Sequence, residues 1–213
     1  MYISYIKNLF HILFIFLSLT GMAQQFTPIQ QHQLDSLFET IQNDNSHDTA
    51  ISASYVALSE ILYISNFDTI QPLCSEAKKI AEKNLNHNQL NKAETRAFRK
   101  TLASSVNNLG YYFGVRGNLK DELANYRMAF EMQEKIGDKV GMSSSLNNMG
   151  SNLKRQGNIK ESLEAYLKSL IIKESNKLIT KVIANKNGLA VLFENKVIFN
   201  TKGKVFYRNY EKS

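Results

Sequence analysis

The chain has 213 residues, 43% of them hydrophobic and 21% charged, a balance that excludes wholesale disorder and suits one substantial domain or a short solenoid. A single cysteine, Cys74, excludes an intramolecular disulfide framework and any cysteine-based metal site; its expected place is a buried helix face. The net charge of +7 is uneven: residues 151–213 carry thirteen Lys or Arg against five Glu, a net of +8, while residues 24–150 carry twelve against fourteen acids, a net of −2.

Residues 1–23 read as a secretory signal peptide. Lys7 supplies the positive n-region, residues 9–20 the apolar h-region, and Gly21-Met22-Ala23 a small-x-small cleavage site. At about 1.5 Å per residue the apolar run spans about 18 Å, short of a bilayer core of about 30 Å, so cleavage is expected rather than anchoring. The expected location is periplasmic or secreted, in a bacterial cell envelope. Membrane contact is then expected only through an uncleaved signal or a partner. Export also points the basic C-terminal third toward an anionic surface rather than toward nucleic acid.

Two prolines in the whole chain favour long helices. Residues 24–48 hold a leading helix, with Leu34, Leu37, Phe38 and Ile41 on one face, followed by a polar linker. In residues 49–92 a second helix starts near Thr49, and Ile51, Tyr55, Leu58, Ile61, Leu62 and Ile64 keep the helical period. Thr69 is expected to cap a third helix that has Pro72 in its first turn and Leu73, Cys74, Ala77 and Ile80 on its apolar face. A polar insertion over residues 84–91 follows.

Residues 93–138 begin with a long helix through Leu102, Val106, Leu109 and Tyr112, ended by Gly117, and continue with a partner helix carrying Leu123, Tyr126 and Ala129. Gly137-Asp138 connects to residues 139–176, where the same layout returns. Asn107-Asn108-Leu109-Gly110, Gly117-Asn118-Leu119-Lys120, Leu123 and Tyr126 recur forty residues later as Asn147-Asn148-Met149-Gly150, Gly157-Asn158-Ile159-Lys160, Leu163 and Tyr166. Self-similarity at such a period marks stacked helical hairpins, because one hairpin cannot bury both of its apolar faces. Fifty-two residues upstream, Leu58, Ser65, Cys74 and Ala77 occupy the places of Gly110, Gly117, Tyr126 and Ala129, a divergent first copy.

These residues resemble the tetratricopeptide repeat. In that family's pattern of roughly 34 positions a Leu-Gly pair and a following aromatic lie on the first helix, a Gly-Asn or Gly-Asp turn separates the helices, and Tyr and Ala recur on the second. Leu109-Gly110, Phe113, Gly117-Asn118, Tyr126 and Ala129 match in one copy; Met149-Gly150, Leu153, Gly157-Asn158, Tyr166 and Ser169 match in the next. The family's usual small residue on the second helix is Glu122 here and Ser162 in the next copy. The forty-residue period and the Gly137-Asp138-x-x-Gly141 connector are similar to the longer repeats of signalling adaptors. The resemblance implies an all-α fold, a helix-turn-helix solenoid wound as a right-handed superhelix. Its function would be to bind a protein or peptide in a concave groove. Groove-facing residues, carried over, are Asn107, Tyr111, Gly114, Asn147, Ser151 and Lys154, with Lys154 and Arg155 suited to a partner carboxylate.

After Leu170 the pattern decays, and residues 177–213 read as a degenerate or truncated repeat. Within them Val197-Ile198-Phe199 and Val205-Phe206-Tyr207 flank a turn-prone Asn200-Thr201-Lys202-Gly203, predicting a short β-hairpin. The layout of signal, short helix and weak repeat is also similar to periplasmic input segments of bacterial sensor histidine kinases. It implies, as an alternative, a sensor segment lacking its transmembrane and catalytic parts. The histidines at 11, 32, 47 and 87 share no metal-ligand spacing, and no nucleophile elbow or phosphate loop is present. The expectation is therefore a non-enzyme with no cofactor, no metal and no catalytic residue.

Overall fold

The computed structural model describes residues 26–86 and 89–175, and the backbone of residues 197–199 and 205–207. The expected signal peptide and most of residues 177–213 lie outside the described residues. The fold is all-α, of the helix-turn-helix solenoid class. Its helices are α1 (Pro28–Gln42), α2 (Asp48–Leu62), α3 (Ile70–Leu85), α4 (Lys92–Val115), α5 (Leu119–Lys135), α6 (Lys139–Arg155) and α7 (Ile159–Ser175). The expected hairpin pairs β1 (Val197–Phe199) antiparallel with β2 (Val205–Tyr207), with Val197 opposite Tyr207 and Phe199 opposite Val205. Among the described residues no helix is long and apolar enough to cross a membrane. The chain divides into two compact units between Tyr112 and Phe113, inside α4.

The N-terminal unit begins with a capping box. Thr27 accepts from the Gln30 N–H at 3.3 Å, Gln30 accepts from the Thr27 N–H at 3.0 Å, and Pro28 fills a position that needs no donor. Leu34, Tyr55, Val56, Leu58, Leu62, Leu73 and Ala77 form its core, and Leu37, Phe38, Ile41, Ile51, Ile61 and Ile80 pack around them. The start of α2 is closed by His47, whose Nδ1 accepts from the Thr49 N–H at 3.2 Å while Nε2 lies 3.2 Å from the Glu94 carboxylate. His47 thus ties the start of α2 to α4.

Thr69 does not cap α3. Its hydroxyl donates to the Asn66 carbonyl at 2.7 Å. Asn66 instead accepts from the Asp68 N–H at 3.0 Å, opening a 3₁₀ turn (Phe67–Thr69) that runs directly into α3. Thr69 sits inside that continuous turn, where its N–H already donates to the Asn66 carbonyl, so the capping position lies three residues earlier. The divergent hairpin therefore turns without a left-handed glycine. The insertion is shorter than its polar composition predicts: α3 runs to Leu85, and Asn91 caps α4 by accepting from the Glu94 N–H at 2.9 Å.

In the C-terminal unit each turn uses the same two-residue device. Gly117, Gly137 and Gly157 have φ of +79°, +64° and +80°. The residue after each glycine donates its N–H back five positions: Asn118 to Phe113 at 3.0 Å, Asp138 to Gln133 at 2.9 Å and Asn158 to Leu153 at 2.9 Å. The glycine ends one helix in a Schellman closure. The next residue then starts the following helix, Asn118 accepting from the Asp121 N–H at 3.1 Å and Asp138 from the Gly141 N–H at 3.2 Å. A Cβ at Gly117 or Gly157 would meet nothing within 4 Å, so the requirement there is one of backbone conformation alone. Gly157→Ala should therefore cost about 1 kcal/mol, and Gly157→Asn distinctly less, in the urea midpoint of the ellipticity at 222 nm. Equal losses from the two would contradict the conformational account.

Candidate functional site

The α6–α7 hairpin shows why the repeated pattern carries its residues. Gly150 lies beneath the ring of Tyr166, where an added Cβ would stand 3.0 Å from two ring carbons, and its carbonyl accepts from the Ser162 hydroxyl at 2.7 Å. Glycine and tyrosine sixteen residues apart are thus one contact between the two helices. The Tyr166 hydroxyl bonds the exposed Ser151. Burial pushes the Tyr166 pKa up and that hydrogen bond partly offsets it.

Asn147 is half-buried on α6, and its Oδ1 is sealed from solvent with no hydrogen-bond donor among the described residues. Lys154 is half-buried, seven residues on from Asn147 and so on the same side of α6. Asn147, Ser151 and Lys154 therefore share one stripe of this helix. Arg155 already has a carboxylate of its own, because its guanidinium donates to Glu122.

Glu122 stands where the repeat usually has a small residue, and the structure shows how it is held. It is 4% exposed. Its carboxylate accepts from Arg155 and, at 2.7 Å, from the fully buried Asn152, which also donates to the Leu119 carbonyl at 2.9 Å. The space comes from Gly114, where an added Cβ would collide with the Glu122 carboxyl group. Gly114 accordingly faces Glu122 and is buried, which removes it from the expected groove-facing set. In the following copy Lys154 and Ser162 take the two places, so the bulk has moved from the second helix to the first.

Asn107 and Tyr111 belong to the N-terminal unit. The Asn107 amide donates to Asn108 Oδ1 at 3.2 Å. Asn108 in turn reaches α2, its Nδ2 lying 3.0 Å from Ser59 Oγ and 3.4 Å from Glu60 Oε1. Tyr111 is 40% exposed and packs edge-to-face on Tyr63, ring centroids 5.2 Å apart and planes at 75°. Burial, with the Tyr63 hydroxyl nearby, pushes the Tyr111 pKa up. Its neighbour Tyr112 is buried and donates to Gln71 Oε1 at 3.0 Å, a packing role. Sequence reasoning missed Glu60 and Tyr63, because both lie on the divergent copy where the repeat pattern had worn away.

A groove of about 590 Å³ separates α1 from α2, with His32 and Leu37 on one wall and Ala57, Glu60 and Ile61 on the other. Among the described residues no group of three or more His, Cys, Asp or Glu is placed to hold a metal ion. No curated protein matches the chain. Residues 143–175, which are most of α6 and all of α7, match the family model of the tetratricopeptide repeat. The α6–α7 hairpin is thus a repeat of the tetratricopeptide type, an architecture of protein-interaction scaffolds.

Proposed function

We propose that this chain is an exported scaffold that holds extended peptide on the first helices of its hairpins, each unit considered by itself. Asn147, Ser151 and Lys154 would act in the C-terminal unit, and Asn107 and Tyr111 in the N-terminal one. The observation that carries the reading is the stripe of Asn147, Ser151 and Lys154 on one side of α6, which sets an amide, a hydroxyl and an ammonium in a row. Asparagine both donates and accepts, so it can hold a peptide backbone with little demand on sequence. Export rests on Lys7, the apolar run over residues 9–20 and the Gly21-Met22-Ala23 site.

Panning a displayed random-peptide library on the purified chain tests the binding. Selected peptides should lose about tenfold or more in affinity on Asn107→Ala combined with Asn147→Ala, the worth of one or two hydrogen bonds. Unchanged affinity in that variant overturns the groove reading. Mass spectrometry of the chain produced in a secreting bacterium tests the export, with an N-terminus at Gln24 expected and one at Met1 counting against cleavage.

A further inference from the structure

We propose that Glu60, Tyr63, Asn108 and Tyr111 form a recess on the N-terminal unit that takes an arginine side chain of the bound peptide. The inference deepens the scaffold reading by naming a side chain, and rests on that reading only for the partner being a peptide. Two cross-helix contacts set the four residues together. Asn108 of α4 reaches Glu60 of α2 at 3.4 Å, and three residues further along α4 Tyr111 packs on Tyr63, the residue that closes α2. The two rings, at 75°, make two sides of a corner, and Tyr111 remains 40% exposed within it. Glu60 is exposed, lines the adjoining α1–α2 groove, and pairs with no Lys, Arg or His among the described residues.

The nearest charges favour a cation. The carboxylate stands in the last turn of α2, near the negative end of that helix dipole. Residues 26–112 carry nine Asp or Glu against seven Lys or Arg, a net of −2. Tyrosine faces add a quadrupole attraction for a cation laid against them. A guanidinium suits the site better than an ammonium. Its plane stacks on a ring while its N–H fork reaches the carboxylate, and it gives up its hydration more readily.

The test is an NMR titration of the full chain with acetyl-Gly-Arg-Gly-amide, following the ring signals of Tyr63 and Tyr111, with lysine and citrulline versions of the same peptide. The arginine peptide should saturate in the millimolar range, the lysine version should bind more weakly, and citrulline, isosteric but uncharged, should leave the rings unmoved. Glu60→Gln and Tyr111→Leu should each weaken the arginine titration about tenfold, as the loss of one charge-assisted contact would. Glu39→Gln, an exposed acid on α1, should leave it unchanged. Citrulline or lysine binding as well as arginine, or an unaffected Glu60→Gln variant, overturns the proposal. If the arginine peptide fails to titrate while library-selected peptides still depend on Asn147, the recess alone is refuted. If it titrates normally and those peptides ignore Asn107 and Asn147, the groove reading falls and the recess stands.

Discussion

Glu122→Ala and Arg155→Ala should each destabilise the C-terminal unit by about 2–3 kcal/mol, and the double variant by little more than either one. Removing one partner of a buried ion pair strands the other, and the usual cost of about 3–5 kcal/mol is reduced here because the Arg155 side chain is 44% exposed and can reach water. The loss from Arg155→Ala is the more instructive, since it leaves Glu122, whose side chain is 6% exposed, with Asn152 as its remaining side-chain partner among the described residues. Gly114→Ala should act in the same direction, by driving the carboxylate off both. Urea unfolding followed at 222 nm measures all four, and the absence of tryptophan makes ellipticity the natural probe. Strictly additive losses in the double variant would show that the two residues do not act as a pair.

Alkaline solution should weaken the N-terminal unit well before it affects a typical carboxylate-stabilised fold. Burial pushes the Cys74 thiol from 9.0 up to about 11, with Ser59, 3.6 Å away, pulling the other way. Burial, with the Glu76 charge adding to it, pushes Tyr55 from 10.0 to about 12. In both cases the fold favours the neutral form, so the contribution is fully present below the unfolded pKa and is lost as pH rises through the folded one. For Cys74 the window is about pH 9 to 11 and the stake on the order of 2–3 kcal/mol. Tyr55 extends the decline toward pH 12. Urea midpoints across this range should fall for the native chain, and Cys74→Ala should flatten the first part of the curve at a cost near 1 kcal/mol. A chromogenic disulfide reagent gives an independent check, because a folded chain at pH 8 should hide its one thiol. Reaction at the rate of a free cysteine would refute the burial account.

What the sequence made legible was mainly what the backbone decides locally. The turn glycines at 117, 137 and 157 were readable because only glycine takes a positive φ cheaply, and the Asn118 and Asp138 that follow two of them cap the next helix. The buried apolar face of α1 to α3 was readable from its period. Thr69 misled because Asn66, three residues earlier, competes for the same helix start through a 3₁₀ turn, a choice that residue preferences alone do not rank. His47 could have been read as a cap, standing just before Asp48-Thr49 at a helix start, but histidine is a rare occupant of that position.

The polar interior was the least legible part. Glu122 meets Asn152 and Arg155 from thirty and thirty-three residues away, and Gly114 offers a cavity rather than a side chain. Nothing in a one-dimensional pattern distinguishes a glycine that lines a groove from one that makes room for a carboxylate. The same limit hid Glu60 and Tyr63, whose relevance depends on Asn108 and Tyr111 across a helix pair.

The exchange of bulk between Gly114–Glu122 and Lys154–Ser162 bears on how such an array can be lengthened or reordered. A tandem copy of residues 139–175 would set a duplicate of Arg155 against the preceding Ser162, with no carboxylate to receive it. Glu122 moved to that place would meet Lys154 rather than a glycine, and its carboxyl group would have no vacancy to enter. Each hairpin is addressed to the one before it, so shuffling these units, or averaging them into a single consensus, erases an order that the forty-residue period alone does not reveal.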